Sequence, residues 1–542
     1  MDKIKVFDTT LRDGAQTPEI GMNFSDRLYI AKALADTGVD VVEIGFAAND
    51  ADFGYMRDLA RYIGSGNSRN RTVPVVCSLA RVVPEDVELA YRSIELADPA
   101  KRRIHLFIGT SEELMSYSHG KREESILEMV SRNVERARTL VGREGSVEYS
   151  SEDSMRTDVD FLIKTIQRAV DAGADVINVP DTTGFAKPDR YYDVIRQIRN
   201  SVGDGVTYSA HIHNDSGNAV ATTLKGIEAG VRQVEGCVLQ LGERTGNADW
   251  MTVVNDLNIF GEYDVRHMDS TRFYNLAKLV AAITNQTIPL THPVVGRAAF
   301  TESSGIHVKG VLRNYSTYFV TPPASVGRTM DIVLGQTSGT NTVAHFLKAH
   351  DYECAGDLSE MTSAVKRYSI DVGDSLTGTE ARLLAEHYIR GRSLERRIHM
   401  KDYRVVSSMN DGPFAKVVLD VDGTERTGEG SGKGPVDSFM NAVEEALGIK
   451  AELHHWDEKA VYRGKGAPGY EFLDNMKFGE EELAALGTNG ESSGQSAVAR
   501  SMIELLYERG IYHGRGSARG IDRATYDAII NGFDAVYRLN PL

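Results

Sequence analysis

Charged side chains follow directly on the first strand-like segment of the chain. In the stretch VFDTTLRDGAQ, Asp8, Arg12 and Asp13 lie close together and Gly14 comes next, where it would leave the backbone free to turn beside a substrate. A carboxylate there can hold a metal ion and a guanidinium can stabilise an oxyanion, but the two can also form a purely structural ion pair. The local charge pattern is consistent with both interpretations, so the choice depends on the rest of the chain.

A second group of side chains has metal-binding chemistry. In HIHND, His211 and His213 alternate along a strand-like segment and would therefore point to the same face, and GERTGN supplies Asn247. Together with Asp13 they make a mixed nitrogen and oxygen set that suits Zn²⁺, Mn²⁺ or Mg²⁺ and leaves positions for water or substrate. A polar histidine pair in the core is the alternative. No cysteine joins the set, so a closed structural zinc site is not expected.

The polar residues share one position, the end of a strand-like segment. The carboxyl ends of all strands converge on one face of a (β/α)₈ barrel, and this face carries catalysis. The pattern therefore predicts one active site built from many strands. Its members are Arg12, Asp13, His105, Glu152, Thr182, His211, His213, Glu243 and Asn247.

The elements that would position these residues alternate between strand and helix. About eight short, β-branched strands separated by helical patterns fit within the length of one barrel, and their near-continuous apolar character is typical of parallel strands covered by helices. Ser25 is expected to cap the first helix and Gly38 to end it. An open doubly wound sheet would require a glycine fingerprint after the first strand, and TTLRDGAQ is not one. The prediction is an α/β fold with a TIM barrel over residues 1–260.

The remainder of the chain predicts two further regions. Residues 261–400 are mostly helical, with a loop-rich stretch THPVVGRAAFTESSGIHVKG, and are expected to form a lid and linker. Residues 401–542 are expected to form a smaller, pseudo-symmetric α+β domain of regulatory type, with a hairpin turn at Asp422 and Gly423. Two segments, GEGSGKGPVDSFMNAVEEALG and LGTNGESSGQSAVARSMIELLYERG, each predict a glycine-rich loop followed by a helix.

Composition narrows the class of partner. The 542 residues carry a formal net charge of −16, which argues against nucleic acid or an anionic membrane surface. No apolar stretch is long enough to span a bilayer, and the start lacks the apolar core of a signal peptide. Cys77, Cys237 and Cys354 form no disulfide framework. These features predict a cytoplasmic protein.

Four motifs carry a resemblance to a known family. DTTLRDGAQ, HIHND, GERTGN and SSGIHVKGVL resemble the 2-isopropylmalate synthase family of acyl-CoA-dependent Claisen-condensing barrels, which includes homocitrate and citramalate synthases. The likeness runs from Val6 to about Leu334 and continues more faintly through GKGPVDSFMNAV. It implies condensation of acetyl-CoA with a 2-oxo acid, with 2-oxoisovalerate the first choice, to give 2-isopropylmalate at the first committed step of leucine biosynthesis. It also implies a homodimer and an amino-acid feedback effector at the C-terminal domain.

The resemblance assigns roles to individual residues. The divalent metal would be held by Asp13, His211, His213 and Asn247. Arg12 would donate to the ketone oxygen of the oxo acid, Thr182 would bind its carboxylate, and His105 would line the pocket. The oxo acid's side chain would be bordered by Ser150, Asn178 and Pro180. The group that removes a proton from the acetyl methyl would be Glu152, His307 and Tyr318, with the base among them left open. Glu243 would shape the acetyl site or orient Asn247.

The sequence leaves some alternative functions open and disfavours others. The loop carrying Asn49 and Asp50 would favour a more polar or larger oxo acid, so a citramalate, other alkylmalate or homocitrate-type synthase remains an alternative. A homocitrate synthase is expected to carry Glu rather than the Asp found at position 13. A related lyase would need a cysteine in a glycine-rich loop and a biotin-dependent carboxylase a lysine in the metal centre, and neither is evident. A metabolite-binding regulator on an inactive barrel predicts a broken ligand set, whereas this set is complete.

Overall fold

The computed structural model describes residues 1–47, 50–66, 70–353, 356–407, 412–461, 498–518 and 520–540, with the side chains of 50–52, 459–461 and 498 also left undescribed. Asn49, the side chain of Asp50, Cys354 and the second glycine-rich loop therefore lie outside the described residues. The chain forms two compact units. One comprises Met1–Thr301 and Asn314–Asp331, and the other Glu302–Arg313 and Ile332–Leu542.

The first unit contains a closed barrel of eight parallel strands in the order β1 to β8, which confirms the predicted TIM barrel. Each strand hydrogen-bonds to its sequence neighbours, and β8 closes the circle by pairing with β1. The strands are β1 (Lys5–Asp8), β2 (Val41–Phe46), β3 (Val75–Arg81), β4 (Arg102–Gly109), β5 (Ser146–Glu152), β6 (Val176–Asp181), β7 (Thr207–Ile212) and β8 (Gln233–Gly236).

Helices alternate with these strands and bury apolar side chains such as Ile166 and Leu162. The helices of this unit are α1 (Phe24–Thr37), α2 (Asp50–Ile63), α3 (Pro84–Ile94), α4 (Glu112–Leu114), α5 (Glu123–Val141), α6 (Val159–Asp171), α7 (Pro188–Val202), α8 (Ala219–Ala229), α9 (Trp250–Phe260) and α10 (Phe273–Thr284). Helix α1 ends at Gly38 in the left-handed region, as predicted. The predicted cap Ser25 is wrong, because Asn23 caps the helix and forms a reciprocal capping box with Asp26.

Strand register sets which side chains become neighbours inside the barrel. Pro180 of β6 lies opposite His211 of β7, and His211 in turn lies opposite Glu235 of β8. On the other side of the barrel, Phe107 of β4 lies opposite Ser150 of β5. Residues from five strands, β4 to β8, are therefore brought together inside the barrel.

The second unit begins with helices and ends with a repeated α+β arrangement. Its first part contains α11 (Gly305–Val311), α12 (Thr340–Ala349), α13 (Ser359–Val372) and α14 (Gly378–Arg390). The two-residue strands β9 (Thr301–Glu302) and β10 (Asp331–Ile332) each span a point where the chain passes from one unit to the other. Two units of three antiparallel strands and a helix follow. They are β11 (Ile398–Val406), β12 (Phe414–Val421), β13 (Thr424–Ser431) and α15 (Pro435–Leu447), then β14 (Glu452–Val461), β15 (Val498–Tyr507), β16 (Gly510–Ala518) and α16 (Ile521–Leu539).

This domain confirms the predicted hairpin and corrects one predicted helix. Asp422 and Gly423 both have positive φ, as a tight turn between β12 and β13 requires. The segment predicted as a helix after the second glycine-rich loop is instead strand β15. Its alternate residues Ala499, Ser501, Ile503 and Leu505 are buried, and this two-residue period fits a strand with one face against the core.

The two repeats share one apolar core, which contains Phe439 of α15 and Phe533 of α16. No helix in the described part of the chain is long and apolar enough to cross a membrane.

Candidate active site

A cavity of about 180 Å³ lies at the carboxyl ends of the barrel strands. This is smaller than the pockets that hold drug-sized ligands, so it suits a small molecule. It brings together eleven residues singled out from the sequence and adds three that were not. The former are Arg12, Asp13, His105, Ser150, Glu152, Asn178, Pro180, Thr182, His211, His213 and Glu243, and the latter are Gln16, Leu79 and Phe107.

Asp13, His211 and His213 converge at one point of this cavity. Nε2 of His211 lies 3.2 Å from Oδ2 of Asp13, and Nε2 of His213 lies 3.7 Å from the same oxygen. One ligand atom from each of the three lies within 4.8 Å of the others, and all three residues are buried. His211 is the fifth residue of β7, whereas His213 lies just beyond the strand in an isolated bridge with Asn247.

Asn247, the fourth predicted ligand, lies in the loop after β8 and is bridged to His213. Its amide nitrogen donates to the carbonyl of Leu241 at 2.9 Å, which fixes the orientation of the amide. Its Oδ1 is buried and has no hydrogen-bond partner among the described residues. A buried amide oxygen without a partner, on a residue bridged to His213, fits a divalent cation, because a bound cation would satisfy this otherwise costly buried acceptor.

Gly242 leaves the space in which these ligands meet. Its φ is +142°, a conformation that favours glycine. A Cβ atom there would lie 2.2 Å from Nδ2 of Asn247 and 2.9 Å from Oδ1 of Asp13. The loop after β8 therefore forms a tight cradle around the ligand group.

The three ionisable members have strongly shifted pKa values. Burial alone would raise the pKa of Asp13, but the charge of Arg12 and the two imidazoles hold it well below its usual range. Burial opposes protonation of His211, yet hydrogen bonding to Asp13 and Glu235 raises the pKa of His211 to about 9. Burial and the neighbouring charge of His211 lower the pKa of His213 to about 4. Asp13 is therefore anionic, and at least one imidazole is neutral near pH 7.

Arg12 is fixed between two carboxylates. Its Nε donates to Oε2 of Glu43 at 2.5 Å and its Nη1 donates to Oδ2 of Asp13 at 3.0 Å. Its side chain is 13% exposed, so the guanidinium borders the cavity rather than bulk water. These bonds leave the two N–H groups of Nη2 without a described partner, and Arg12 lines the cavity.

A continuous polar network extends from Arg12 around the barrel interior. Glu43 accepts from Arg12 and lies 2.8 Å from Nδ1 of His105, and Nε2 of His105 lies 2.6 Å from the Ser150 hydroxyl. Asn178 donates to Ser150 at 2.8 Å. Burial disfavours the protonated imidazole of His105, but the charge of Glu43 outweighs burial and raises the pKa of His105. His105 therefore borders the cavity through a ring whose two nitrogens are both engaged.

The same network extends through Glu235 to the group of Asp13, His211 and His213, called the metal-binding group below because its donor atoms suit a metal ion. Oε2 of Glu235 accepts from Nδ2 of Asn178 at 3.4 Å and lies 3.3 Å from Nδ1 of His211. Its other oxygen accepts from the Ser209 hydroxyl at 2.7 Å. The network therefore links the metal-binding group to Ser150 and Asn178, two of the residues expected to border the oxo acid.

Glu43 and Glu235 were not predicted as site residues. Each is a single carboxylate inside an otherwise apolar strand, VVEIGF and QVEG, and each is fully buried. A charged residue in the interior of a buried strand requires a partner, so this was the signal that could have identified them.

Glu152 and Thr182 lie at the adjacent ends of β5 and β6. Burial and the nearby Asp153 raise the pKa of Glu152. The hydroxyl of Thr182 accepts a hydrogen bond from the backbone N–H of Asp153 at 3.0 Å. A carboxyl group with a raised pKa at the cavity wall has the chemistry of a general base.

The remaining predicted catalytic residues lie in different surroundings. Glu243 lines the cavity, and its backbone N–H lies 3.4 Å from Oδ1 of Asp13. Tyr318 does not line this cavity but borders another one in the same unit, with Asn255 and Phe300. His307 belongs to the second unit, on α11, where its Nδ1 lies 3.0 Å from Oε2 of Glu302. The roles of all three remain predictions.

Comparison with known families covers most of the chain. Residues 3–280 match the family described as HMGL-like, residues 294–372 match the homocitrate synthase post-HMGL domain-like family, and residues 379–472 match the LeuA allosteric (dimerisation) domain. The order of these matches agrees with the barrel, the helical region and the α+β domain described above.

Curated relatives match over nearly the whole length. The 2-isopropylmalate synthase of Caulobacter vibrioides is 35% identical over 513 residues, which is 93% of this chain and 94% of that protein. That of Methylobacterium nodulans is 34% identical, covering 92% and 94%. That of Ruminiclostridium cellulolyticum is 37% identical, covering 86% and 90%. The chain therefore belongs to the 2-isopropylmalate synthase family.

Proposed function

We propose that the protein is an acyltransferase that condenses acetyl-CoA with 2-oxoisovalerate, giving 2-isopropylmalate and free CoA in leucine biosynthesis. The observation that supports this most strongly is the barrel-end cavity, in which Arg12, Asp13 and the two histidines of HIHND meet beside a small pocket. In the reaction, the acetyl methyl loses a proton, the resulting carbanion forms a bond to the ketone carbon, and water cleaves the thioester.

A divalent metal ion is the cofactor of this proposal. Asp13, His211, His213 and Asn247 would hold it, because the first three converge in one buried group and Asn247, which is bridged to His213, has a buried amide oxygen without a partner among the described residues. When bound, it would act as a Lewis acid on the oxo acid's ketone and carboxylate oxygens. Zn²⁺, Mn²⁺ and Mg²⁺ all suit this donor set.

Arg12 would stabilise the negative charge that develops on the ketone oxygen. Its Nε and Nη1 are held by Glu43 and Asp13, so Nη2 is preorganised and pays little to reorient during the reaction. Thr182 and His105 border the same cavity and would bind the acid's carboxylate and line the pocket.

Glu152 would take part in removing the acetyl methyl proton. Its raised pKa makes the carboxylate a stronger base than an exposed glutamate, which matters because the methyl proton is weakly acidic. His307 and Tyr318 complete the proposed proton-transfer group, and Glu243 would shape the acetyl site.

The side-chain pocket favours a branched aliphatic acid. Leu79, Phe107 and Pro180 supply its apolar surface, and Ser150 and Asn178 are engaged with each other. Arg12 is the only arginine or lysine among the described residues that line the cavity, so a second carboxylate, as in 2-oxoglutarate, would lack a fixed cation there. A smaller acid such as pyruvate would react more weakly, because each missing methylene costs about 1–3 kcal/mol.

Free CoA release with a panel of 2-oxo acids tests the substrate. Under one divalent metal, kcat/KM is expected to be highest for 2-oxoisovalerate and lower for pyruvate and 2-oxoglutarate. A clear preference for pyruvate or 2-oxoglutarate would contradict the proposed substrate and favour a citramalate- or homocitrate-type activity on the same barrel.

We further propose a homodimer formed through the C-terminal region, with an amino-acid feedback effector bound there. The match of residues 379–472 to a domain described as allosteric and dimerising supports this. The proposed division is a catalytic barrel over 1–260, a lid and linker over 261–400 and the α+β domain over 401–542. Sedimentation with and without leucine, together with activity at increasing leucine, checks the assembly and the effector separately.

A further inference from the structure

Glu235 is a buried carboxylate on β8 that lies between the metal-binding group and the pocket residues. Its side chain is fully buried, and besides the hydrogen-bonded carboxyl group of Glu148 it faces three other groups that can donate hydrogen bonds. They are Nδ1 of His211 at 3.3 Å, Nδ2 of Asn178 at 3.4 Å and the hydroxyl of Ser209 at 2.7 Å. A carboxylate accepts hydrogen bonds only, so its surroundings match its chemistry.

The position of Glu235 bears on which nitrogen of His211 carries a proton. Nε2 of His211 faces Oδ2 of Asp13, whereas Nδ1 faces Glu235. A neutral imidazole that binds a metal through Nε2 must carry its proton on Nδ1, and this N–H needs an acceptor. Oε2 of Glu235 is the acceptor in position, and Ser209 fixes the opposite oxygen of the same carboxylate.

The second histidine of the group has no such support. Neither Nδ1 makes a well-aligned hydrogen bond among the described residues, but Nδ1 of His211 has Oε2 of Glu235 at 3.3 Å, whereas no carboxylate is described near Nδ1 of His213. The two imidazoles therefore differ. Nδ1 of His211 faces the carboxylate of Glu235, whereas His213 is positioned by the backbone bridge to Asn247. Loss of Glu235 should accordingly act on the metal through His211.

We propose that Glu235 is a positioning residue that holds His211 in the tautomer and orientation needed for metal binding through Nε2. The inference rests on the metal site proposed above and extends it to a residue that does not itself contact metal or substrate. Removing such a supporting carboxylate typically weakens metal affinity about 10–100-fold.

The test measures metal affinity of the full-length apoprotein by chelator competition with Zn²⁺ and Mn²⁺. Glu235→Gln preserves the size of the side chain but removes the negative charge that favours a proton on Nδ1. It is expected to weaken binding about 10–100-fold while the thermal midpoint of the apoprotein stays near that of wild type. At saturating metal, turnover should recover to most of the wild-type value, because Glu235 does not touch the substrate.

Glu148→Gln is the matched control. Glu148 is an equally buried carboxyl group on β5 that pairs with Arg103 and Gln233, hydrogen-bonds to Glu235 and has no described contact with His211, and glutamine at this position can still donate a hydrogen bond to Glu235. Burial and the nearby Glu235 raise the pKa of Glu148 to about 8, so its neutral form predominates near pH 7 and an amide replaces it closely. Wild-type metal affinity is expected in this variant.

The outcomes separate the inference from the proposed function. Absence of metal binding by the wild-type protein would overturn the metal site itself. Normal metal binding by wild type and by Glu235→Gln alike, or equal losses in Glu235→Gln and Glu148→Gln, would overturn only the role of Glu235. If Glu235→Gln does not fold, Glu235→Asp, which withdraws the carboxylate from Nδ1, is measured against the same expectations.

Discussion

Arg12 and Asp13 are adjacent in the chain but make different contacts at the cavity. Asp13 meets the two imidazoles at 3.2 and 3.7 Å, whereas Arg12 is held by Glu43 and Asp13 with Nη2 left without a described partner. The ion pair expected from the sequence is therefore present, and it also fixes the guanidinium in place. A structural salt bridge and the proposed catalytic role are compatible here, because the ion pair uses Nη1 and leaves Nη2 for the oxyanion.

Arg12→Lys is expected to lower kcat by about 10²–10³. Lysine keeps the positive charge, but its single ammonium cannot bridge Glu43 and Asp13 and still present a fixed donor to the ketone oxygen. Steady-state kinetics with saturating acetyl-CoA measure the effect. Arg81→Lys, at a 61% exposed arginine paired with Asp86, serves as control. Near-normal turnover in the Arg12 variant would assign it a structural role only.

At the scale of elements, the loop after β8 is under the tightest steric constraint in the site. Gly242→Ala would place a Cβ against Asn247 and Asp13 and would also force a side chain into φ +142°. Strain of about 1–3 kcal/mol is expected, with loss of metal affinity and activity together. Metal content and turnover of the purified variant check this.

Gly205→Ala is the matched control for that loop. Its Cβ would meet nothing within 4 Å, and its φ lies outside the left-handed region. It should retain both metal and activity. Full activity in Gly242→Ala would show that the loop can relax and that the cradle is not required.

Gly14, in contrast, was expected to give the backbone freedom beside the substrate, yet a Cβ there would make only ordinary contacts of 3.4 Å or more.

Asp40 joins the start of β2 to β1 and to the loop before α10. It accepts from the backbone N–H of Val6 at 2.9 Å, from Lys3 at 2.6 Å and lies 2.7 Å from Nε2 of His267. Burial opposes ionisation, but these partners lower the pKa of Asp40 below its ordinary value. The charged form is thus stabilised on folding. This contribution is present above the unfolded pKa of about 4 and is lost as pH falls through the lower folded pKa.

Asp40→Asn is therefore expected to lower the free energy of unfolding by about 1.5–3 kcal/mol near pH 7, and the difference from wild type should shrink below about pH 4. Denaturant unfolding across this range measures it. Asp204→Asn, at a 75% exposed carboxylate, should change stability little. A difference that does not depend on pH would contradict the role assigned to the Asp40 charge.

Strand positions and the barrel were predictable because parallel strands are short apolar runs and the polar residues fall at their ends. Side-chain positions that depend on the partner strand were not. Glu43 and Glu235 became recognisable only when the closed barrel placed them beside Arg12 and His211. The segment Val498–Tyr507 was predicted as a helix because leucine, methionine and glutamate favour helices locally. It forms a strand because its alternate residues pack against neighbours in the sheet, which the local sequence does not show.

At the scale of the whole molecule, the C-terminal domain is expected to be required for assembly and activity. Met400 lies within β11, so a cut after Glu395, between α14 and β11, removes both repeats without interrupting a strand. The truncated protein should be monomeric by sedimentation and should lose most of its turnover although every barrel motif remains. A monomeric truncation with full activity would contradict this account.

The central claim is that this barrel joins the acetyl methyl carbon to the ketone carbon of a 2-oxo acid. The most direct measurement is carbon NMR of the products formed from acetyl-CoA labelled at the methyl carbon, with 2-oxoisovalerate and a divalent metal. The label is expected in the methylene carbon of 2-isopropylmalate, and chelation of the metal is expected to abolish its formation. Label recovered only in free acetate would show thioester hydrolysis without carbon–carbon bond formation and would contradict the account.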